Sequence, residues 1–335
     1  MSLILPKDYH SKLDGRKTER AIKSIRDTFQ RELVNALNLQ RISAPMFVRP
    51  ESGLNDNLNG VERPVNFDVP ALDGANLEIV HSLAKWKRQT LAKYDFKAGE
   101  GLYTDMNAIR RDEDLDNMHS LYVDQWDWES VIEKSQRTEE TLKDYVRRIY
   151  KAMLETNRAL CKDYPELSCM FPDEIEFVTT QELYDMYPEL DSKEREHALL
   201  REKKAVFLMQ VGKYLENGER HDGRAPDYDD WELNGDILLY YPVLDISFEI
   251  SSMGIRVDED ALMSQIKKLN CEQRLQLDFH KKLLNGELPY TIGGGIGQSR
   301  LCMFMLEKAH VGEVQASIWP DWMIDECKKN NIHLI

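Results

Sequence analysis

The chain has 335 residues, and its 59 acidic and 44 basic side chains give a net charge of -15. An acidic chain repels nucleic acid at long range, although a local basic pocket can still bind a nucleotide. The five cysteines form no CxxC pair, and the histidines show neither HxH nor HExxH spacing, so a zinc ribbon, a disulfide framework and a structural metal site are not indicated.

No stretch approaches the ~18 apolar residues that a membrane-spanning helix needs. The N-terminal sequence MSLILPKDYHSK lacks the pattern of a signal peptide. We therefore expect a cytoplasmic protein that binds neither membrane nor nucleic acid. At roughly 150 residues per domain, the length allows two domains or one large unit.

The first half of the chain is predicted to combine helices with short strands. Residues 17–38 carry apolar side chains at spacings of three and four, which predicts a helix. Residues 41–48 predict an edge strand broken by Pro45, and the turn-rich stretch 52–60 predicts a loop. The elements predicted next are strands at 65–69 and 76–80, a helix at 82–94, and strands at 102–109 and 119–128.

The second half predicts a sheet flanked by helices. Residues 110–118 suit the turn of an antiparallel hairpin, and the polar loop 217–235 has the length of a functional loop. The predicted elements are helices at 138–162 and within 180–203 and 258–285, strands at 174–179, 205–211, 236–241 and 245–257, and a last helix after the glycine-rich stretch. We predict the α+β class, with a mostly antiparallel sheet.

The glycine-rich stretch TIGGGIGQSRL, residues 291–301, fits neither the GxGxxG dinucleotide fingerprint nor a Walker loop. Its glycines alone are equally consistent with a turn before the last helix. Arg300 favours a ligand site, because it begins a helix whose LCMFML segment must be buried, beside glycines that let backbone approach a ligand. A guanidinium suits a phosphate or a stacked purine.

Two alternating strands place polar side chains on one face. Glu249 in DISFEISS, with Asp236 on the preceding strand, is predicted to bind Mg²⁺, which takes one or two carboxylates plus phosphate oxygens. Gln125 and Asp127 in HSLYVDQWDWE are predicted to line a pocket in which Asp127 pairs with a substrate ammonium. The alternative for the Glu249 strand is a solvated sheet face, and the alternative for Asp127 is a position at the rim of a pocket.

The segment HSLAKWKRQ places three cations on a predicted helix. Lys85 and Arg88 are interpreted as part of a solvated helix face. Considered by itself, Lys87 gives no reason to assign it a different role.

Together these stretches resemble the class II aminoacyl-tRNA synthetase core, in its aspartyl/asparaginyl branch. GGGIGQSR resembles the third motif of that class, IRRDEDLDNMHSLYVDQWDW the second, and Pro45 after the first long helix the first, a dimer element. Longer stretches, from EIVHSLAKWKRQTL to ELPYTIGGGIGQSRL, resemble the ammonia-dependent aspartate–ammonia ligases, the asparagine synthetase A family, over nearly the whole chain.

The resemblance implies the reaction aspartate + ATP + NH₃ → asparagine + AMP + PPi, with Mg²⁺, in a cytoplasmic homodimer. It also implies one catalytic domain over residues 1–335. One alternative is a truncated aspartyl- or asparaginyl-tRNA synthetase core, which we disfavour because residues 1–16 leave no room for a tRNA-binding appendage. Another is a non-catalytic paralogue that senses asparagine or nucleotide. Glutamine as nitrogen donor is disfavoured because Ser2, not cysteine, follows Met1.

The resemblance also implies roles at the nucleotide. Arg110 is expected to grip the α-phosphate, although the synthetase pattern would equally place that grip on Arg111. Arg300 is expected to hold the triphosphate or stack on adenine. The remaining ATP-binding residues are Asp229, Asp236, Glu249, Gly295 and Gly297, with Mg²⁺ on Asp236 and Glu249. The loop holding Asp227, Asp229 and Asp230 is expected to close over the nucleotide and exclude water.

At the amino acid, Lys87 and Arg256 are expected to hold the α-carboxylate, so that the β-carboxylate faces ATP. Asp127 is expected to hold the α-ammonium. The supporting substrate contacts are Ser82, Gln125, Ser251 and Ser252. Asp56 is expected to take a proton from ammonium, which, like a lysine amine of pKa about 10.4, is mostly protonated at neutral pH. The alternative for Asp56 is an ordinary Asx turn.

Overall fold

The computed structural model of the chain describes residues 3–56, 58 and 62–335, so the predicted loop at 52–60 lies partly outside the described residues. The helices within the described residues are α1 Gly15–Leu37, α2 Ala84–Lys93, α3 Glu139–Asp163, α4 Thr180–Met186, α5 Ser192–Lys203, α6 Glu259–Lys268, α7 Asp278–Leu284, α8 Gln298–Met305 and α9 Asp321–Lys329. Short 3-10 helices lie between some of them. None of the helices in this part of the chain combines the length and apolar character needed to cross a bilayer.

The strands form one large sheet and one small sheet. They are β1 Leu39–Arg41, β2 Phe47–Val48, β3 Asn66–Val69, β4 Ala75–Ile79, β5 Gly101–Ile109, β6 Tyr122–Val131, β7 Glu176–Thr179, β8 Ala205–Met209, β9 Asp229–Tyr241, β10 Ile246–Arg256 and β11 Thr291–Gly297. The large sheet has the order β1-β5-β6-β11-β10-β9-β8-β7, and the small sheet has the order β2-β4-β3. Only the β1–β5 and β7–β8 pairs of these strands are parallel, so the predicted mostly antiparallel α+β fold is confirmed.

Strand alternation divides the large sheet into an apolar and a polar face. On β6, Trp126 and Trp128 are buried in the main core. Because successive side chains of a strand point to opposite faces, Gln125, Asp127 and Glu129 lie on the other face. Phe29 of α1 packs on Trp126 with ring centroids 4.8 Å apart. The long helices therefore cover one face, and the polar face is left for the site.

The two long helices form as their apolar spacing predicts. Asp14 caps α1 by accepting the amide of Lys17, and Thr138 caps α3 by accepting the amide of Thr141. The buried residues of α1 include Ile22, Ile25, Phe29, Leu33 and Leu37, and those of α3 include Leu142, Val146, Ile149, Met153 and Leu160. Each set forms one stripe against the sheet.

The glycine-rich stretch is a strand, not a turn. β11 lies in the sheet between β6 and β10, and its glycines give room to side chains on both sides. A Cβ at Gly293 would lie 2.1 Å from Oε2 of Glu129, and one at Gly295 would lie 2.2 Å from Oε1 of Gln125. The helix begins at Gln298, directly after the strand. The glycines therefore let polar side chains of β6 lie flat across a neighbouring strand.

We expect Gly293→Ala to destabilise the fold, because Glu129 is completely buried and the new Cβ would also lie 2.7 Å from Nη2 of Arg256. Overpacking of this kind lowers the free energy of unfolding by roughly 1–3 kcal/mol. Urea denaturation of the unchanged protein and of Gly293→Ala measures this difference in the free energy of unfolding. Gly15→Ala is the matched control, since nothing lies within 4 Å of a Cβ there. Equal unfolding midpoints for both variants would contradict the prediction.

Three other predicted elements differ from the structure. Residues 41–48 do not form one strand, because the chain leaves the large sheet after Arg41 and enters the small sheet at Phe47. The predicted polar loop 217–235 ends early, since β9 begins at Asp229. The helix α9 follows the helix that was expected to be the last. The first difference depends on strand partners that come later in the chain, since β1 pairs with β5 and β2 with β4.

Candidate active site

A cleft of about 370 Å³ opens over the polar face of the large sheet. Strands β6, β9, β10 and β11 supply its floor, and the β5–β6 connection and residues 222–228 supply its walls. The sequence-predicted residues that line it are Asp56, Ser82, Lys87, Arg110, Arg111, Gln125, Asp127, Asp229, Asp236, Glu249, Ser252, Arg256, Gly295, Gly297 and Arg300. Residues from all parts of the chain thus meet in one volume of the size that small-molecule sites have.

Lys87 is fully buried at one end of the cleft. Its ammonium donates to a carboxylate oxygen of Asp127, to the backbone carbonyl of Trp128 at 2.9 Å and to that of Gly294 at 3.0 Å. Oε2 of Glu129 lies 3.7 Å away. Burial lowers the pKa of Lys87, and the charges of Asp127 and Glu129 oppose that effect. All three ammonium protons are used within the protein, so a carboxylate grip by Lys87 requires an exchange of partners.

Arg256 lies beside Lys87 and is held by two acids. Its guanidinium donates to Glu129 through Nε at 3.0 Å and Nη2 at 2.7 Å, and through Nη1 to Asp229. Burial by itself would raise the pKa of Glu129, but the charges of Arg256 and Lys87 outweigh it and hold that pKa below its usual value. Glu129 was not predicted as a site residue, although it continues the Gln125 and Asp127 face of β6.

Carboxylates and cations are paired at this end of the cleft. Asp127, Glu129 and Asp229 surround the two cations Lys87 and Arg256. Oδ2 of Asp127 is buried and has no hydrogen-bond partner in the described part of the chain. This unpartnered acceptor atom can take the ammonium group of an amino acid.

We expect Lys87→Ala to raise the KM for aspartate far more than the KM for ATP. The change also leaves Asp127 without its buried counter-charge, which lowers the free energy of unfolding by about 3–5 kcal/mol. Steady-state kinetics at low temperature and urea denaturation measure the two effects. Lys93→Ala, at an exposed position of the same helix, is the control. Equal changes in both KM values would contradict the predicted role.

The other end of the cleft carries arginines and two carboxylates. Nη2 of Arg224 donates to Oδ1 of Asp236 at 2.5 Å, and Nη1 donates to the hydroxyl of Ser252. Burial raises the pKa of Asp236 to about 6, with the charge of Glu249 adding to it and that of Arg224 opposing it. Arg224 was not predicted, because nothing in the polar loop distinguishes it from the neighbouring charged residues.

Arg300 extends from α8 toward the same carboxylates. Its Nη1 donates to the backbone carbonyl of Glu249 at 3.1 Å and lies 3.7 Å from Oε2 of that residue. Burial would raise the pKa of Glu249, but the charges of Arg300, Lys193 and Arg224 hold it below its usual value. Solvent in the cleft still reaches 45% of the Glu249 side chain, which limits the effect of burial.

The donor set at Asp236 and Glu249 fits a magnesium ion that arrives with phosphates. The two side chains lie on adjacent strands of the cleft floor. The part of the chain that the structure describes contains no group of three or more His, Cys, Asp or Glu side chains arranged to hold a metal. One or two carboxylates are the usual protein share of a Mg²⁺ site completed by phosphate oxygens and water.

Arg110 and Arg111 both line the cleft, where the hairpin turns after β5. Nη1 of Arg110 lies 3.7 Å from Oε2 of Glu113, and its Nε is buried without a hydrogen-bond partner among the described residues. Arg111 is exposed. Arg110 thus has donors held in place for an incoming anion, and its assignment to the α-phosphate stays a prediction.

Asp56 lies in the opposite wall and is 2% exposed. Its Oδ1 accepts the amide of Leu58 at 2.9 Å, so an Asx turn is present. Its Oδ2 is buried and has no partner within the described residues. Burial raises the pKa of Asp56, an effect that Lys85 opposes and Asp227 strengthens. Ser82 lines the cleft two residues before α2, and its hydroxyl accepts the amide of Ala84 at 3.1 Å.

Ser251 does not line the cleft. A β-bulge between Glu249 and Ser251 shifts the alternation of β10, so that Ser252 faces the cleft beside Asp236. The hydroxyl of Ser251 donates to the carbonyl of Gly295 at 3.0 Å.

The three carboxylates of the predicted lid, Asp227, Asp229 and Asp230, are all paired within the protein. Asp227 is fully buried and contacts the cations Lys85 and Arg274, each at 3.2 Å, and the imidazole of His280 at 2.9 Å. Asp230 pairs with Arg137 at 2.8 Å. Asp229 lies on β9 and binds Arg256. These carboxylates fasten the segment to the body of the protein.

The predicted solvated face of α2 is wrong. Lys85 is 4% exposed and Arg88 is 3% exposed. Lys85 pairs with Asp227, and Arg88 donates to the carbonyls of Pro289 at 2.8 Å and Val257 at 2.7 Å. The run of cations is buried because acceptors from three remote segments meet it.

Comparison with known proteins identifies the family. The family model of aspartate-ammonia ligase matches residues 16–331. The chain belongs to the aspartate–ammonia ligase family. Within it, the aspartate–ammonia ligase of Ruminiclostridium cellulolyticum is 65% identical over 334 residues, with 100% of this chain and 99% of that protein covered. That of Clostridium tetani is 62% identical over 333 residues, with 99% and 98% covered.

Solved structures place this aspartate–ammonia ligase family member in the class II synthetase fold. Asparaginyl-tRNA synthetase of Entamoeba histolytica, in complex with asparaginyl-adenylate, matches with a TM-score of 0.63 at 12% identity, over 90% of this chain and 66% of that one. Asparaginyl-tRNA synthetase of Pyrococcus horikoshii, also complexed with asparaginyl-adenylate, matches with a TM-score of 0.59 at 15% identity, over 91% and 70%. The family and the fold class predicted from the sequence are confirmed.

Proposed function

We propose that this protein makes asparagine from aspartate, ammonia and ATP through a β-aspartyl-adenylate, with release of AMP and pyrophosphate. The observation that carries the proposal is a single cleft with two chemically different ends. One end holds Asp127 and Asp229 paired with the buried cations Lys87 and Arg256, and the other holds Arg224 and Arg300 beside Asp236 and Glu249. An amino acid and a nucleotide can meet between them.

Adenylation solves a chemical problem that the substrates pose. A carboxylate does not react with ammonia because its leaving group would be oxide. Transfer of AMP to one carboxylate oxygen turns that oxygen into part of a good leaving group. The protein must hold the α-phosphorus in line with the carboxylate and neutralise the charge that develops on the phosphate.

At the nucleotide end, Arg110 is proposed to bind the α-phosphate, and Arg300 the triphosphate or the adenine. Asp229, Gly295 and Gly297 are the further proposed contacts to ATP. Asp236 and Glu249 would hold Mg²⁺, which supplies charge neutralisation at the phosphates when bound. Arg224 donates to Oδ1 of Asp236 and so holds this carboxylate on the cleft floor.

At the amino-acid end, the proposal orients aspartate with its side chain toward ATP. Lys87 and Arg256 are proposed to hold the α-carboxylate, and Asp127 the α-ammonium. The free Oδ2 of Asp127 supports its role, and Gln125 beside it lies across Gly295. Ser82, Ser251 and Ser252 complete the proposed set, Ser251 through the backbone of Gly295 rather than by lining the cleft.

Asp56 is proposed to accept a proton from the incoming nitrogen. This role is supported by Oδ2 of Asp56, which is buried in the cleft wall and has no hydrogen-bond partner in the described residues. We further propose one catalytic domain over residues 1–335, a homodimer and a cytoplasmic location, all of which rest on the family resemblance.

The experiment that tests the function is product analysis of the purified protein. With aspartate, ammonium chloride, magnesium chloride and ATP, we expect asparagine, AMP and pyrophosphate in equal amounts. Omission of ammonium should leave aspartate-dependent exchange of labelled pyrophosphate into ATP. Release of ADP, or transfer of the amino acid to added tRNA, would contradict the proposal.

A further inference from the structure

An ammonium ion must lose two protons to become the nitrogen of an amide. The first must leave before nitrogen can attack the acyl carbon, and the second leaves from the positively charged nitrogen after the bond has formed. The proposed function supplies one acceptor, Asp56. The inference that follows rests on that function and concerns the second acceptor.

His81 is fully buried in the cleft wall, next to the segment that carries Asp56. Its Nδ1 lies 3.1 Å from the backbone carbonyl of Asp56. A carbonyl only accepts hydrogen bonds, so Nδ1 carries the proton and donates it. Nε2 of the neutral ring then carries a lone pair. That atom is buried and has no hydrogen-bond partner within residues 3–56, 58 and 62–335.

The surroundings hold this imidazole in place. The amides of Asp56 and His81 both donate to Oδ1 of Asn55, at 3.0 Å and 2.8 Å, so one side chain ties the two residues together. The charged groups that act on Asp56 are Lys85, Asp227 and Arg110. An imidazole fixed in one tautomer in the cleft wall, with a nitrogen that has no partner among the described residues, can act as a general base.

We propose that Nε2 of His81 accepts the second proton of the ammonium nitrogen, and that Asp56 and His81 together form the ammonium site. Asp56 takes the first proton and leaves NH₃. The nitrogen lone pair forms the N–C bond with the acyl carbon, and the carbonyl electron pair moves to oxygen. The charged nitrogen gives its second proton to Nε2. The carbonyl then re-forms, the C–O bond to phosphate breaks, and AMP leaves with that electron pair.

His81→Asn tests the role, because the asparagine amide can still donate to the Asp56 carbonyl while the basic nitrogen is lost. We expect asparagine formation to fall by about 100-fold or more, in the range of lost general acid–base catalysis. Pyrophosphate exchange should stay close to that of the unchanged protein. His310→Asn is the control for loss of a buried imidazole, since His310 is equally buried but does not line the cleft. Its Nδ1 accepts the amide of Gly312 at 3.0 Å, so its Nε2 carries the proton and is not a base.

Hydroxylamine separates the two acceptors. It is largely uncharged at pH 8 and loses one proton, not two, when it forms the hydroxamate. We expect it to restore Asp56→Asn but not His81→Asn. If His81→Asn does not fold, His81→Gln serves instead, because its amide reaches the Nε2 position without being basic.

Equal recovery of both variants with hydroxylamine would overturn the assignment of the second proton to His81. So would an equal loss of exchange and of asparagine formation in the His81 variants, because that result marks a structural role. Normal asparagine formation by His81→Asn would overturn it as well. Absence of exchange in the unchanged protein would instead overturn the proposed function, and this inference with it.

Discussion

Arg110→Ala should lower the rate of adenylate formation by roughly 10³-fold, because it removes a positively charged donor from the transferring phosphate. Arg110 is partly buried, and its Nε has no hydrogen-bond partner among the described residues. Its Nη1 lies 3.7 Å from Oε2 of Glu113, which is too long for a hydrogen bond, so this ion pair leaves the guanidinium donors available to a phosphate. The rate of aspartate-dependent pyrophosphate exchange measures the effect.

The neighbouring arginine is the matched control. Arg111 lines the same cleft but is exposed, so Arg111→Ala should change the exchange rate by much less. Arg110→Lys separates charge from shape, because lysine keeps the charge and loses the planar fork that binds phosphate oxygens in pairs. A larger loss in Arg111→Ala than in Arg110→Ala would move the α-phosphate grip to Arg111.

Asp56→Asn should abolish most asparagine formation, by about 10²- to 10⁴-fold, and leave pyrophosphate exchange intact. The asparagine side chain has nearly the same shape and can still accept the amide of Leu58, so the turn is kept. The lost group is the carboxylate that takes a proton after the adenylate has formed. Separate assays of exchange and of asparagine formation with ammonium measure the two half-reactions.

The pH dependence gives a second readout for Asp56. Burial raises the pKa of this carboxyl, so it becomes protonated at a higher pH than an exposed aspartate does. The protonated form cannot accept a proton, and asparagine formation should therefore fall as the pH decreases toward that raised pKa, while exchange falls less. Asp68→Asn, at an exposed position of the small sheet, is the control. Parallel loss of exchange and synthesis in Asp56→Asn would contradict a late role.

The secondary structure was largely predictable where its cause is local. The period of the apolar residues in α1 and α3 places each helix within two residues of its observed bounds. The alternation in β6 places Gln125 and Asp127 on the face opposite the buried tryptophans. Such periodicities depend only on backbone geometry, so they can be recognised without knowing how the rest of the chain folds.

Much of the site depended on distant segments. Nothing near Lys85 or Arg88 in the sequence shows that Asp227, Pro289 and Val257 supply their partners. The glycines of β11 alone were equally consistent with a turn. The Glu129 and Gln125 side chains that need the space beside them come from more than 160 residues earlier in the chain.

The sequence by itself determined the fold class through its helix and strand periods and the family through the resemblance of long stretches, because both are properties of the chain alone. That resemblance also supplied most of the predicted site residues, and all of them except Ser251 line the cleft. The tertiary structure decided which charges are buried, which cations are already paired, and which acceptor atoms are left free. Among the described residues, Nε2 of His81 and Oδ2 of Asp127 are two such buried atoms without a hydrogen-bond partner. The reason is physical: a charge or a lone pair acquires its role from the groups that surround it, and those groups meet only when the chain is folded.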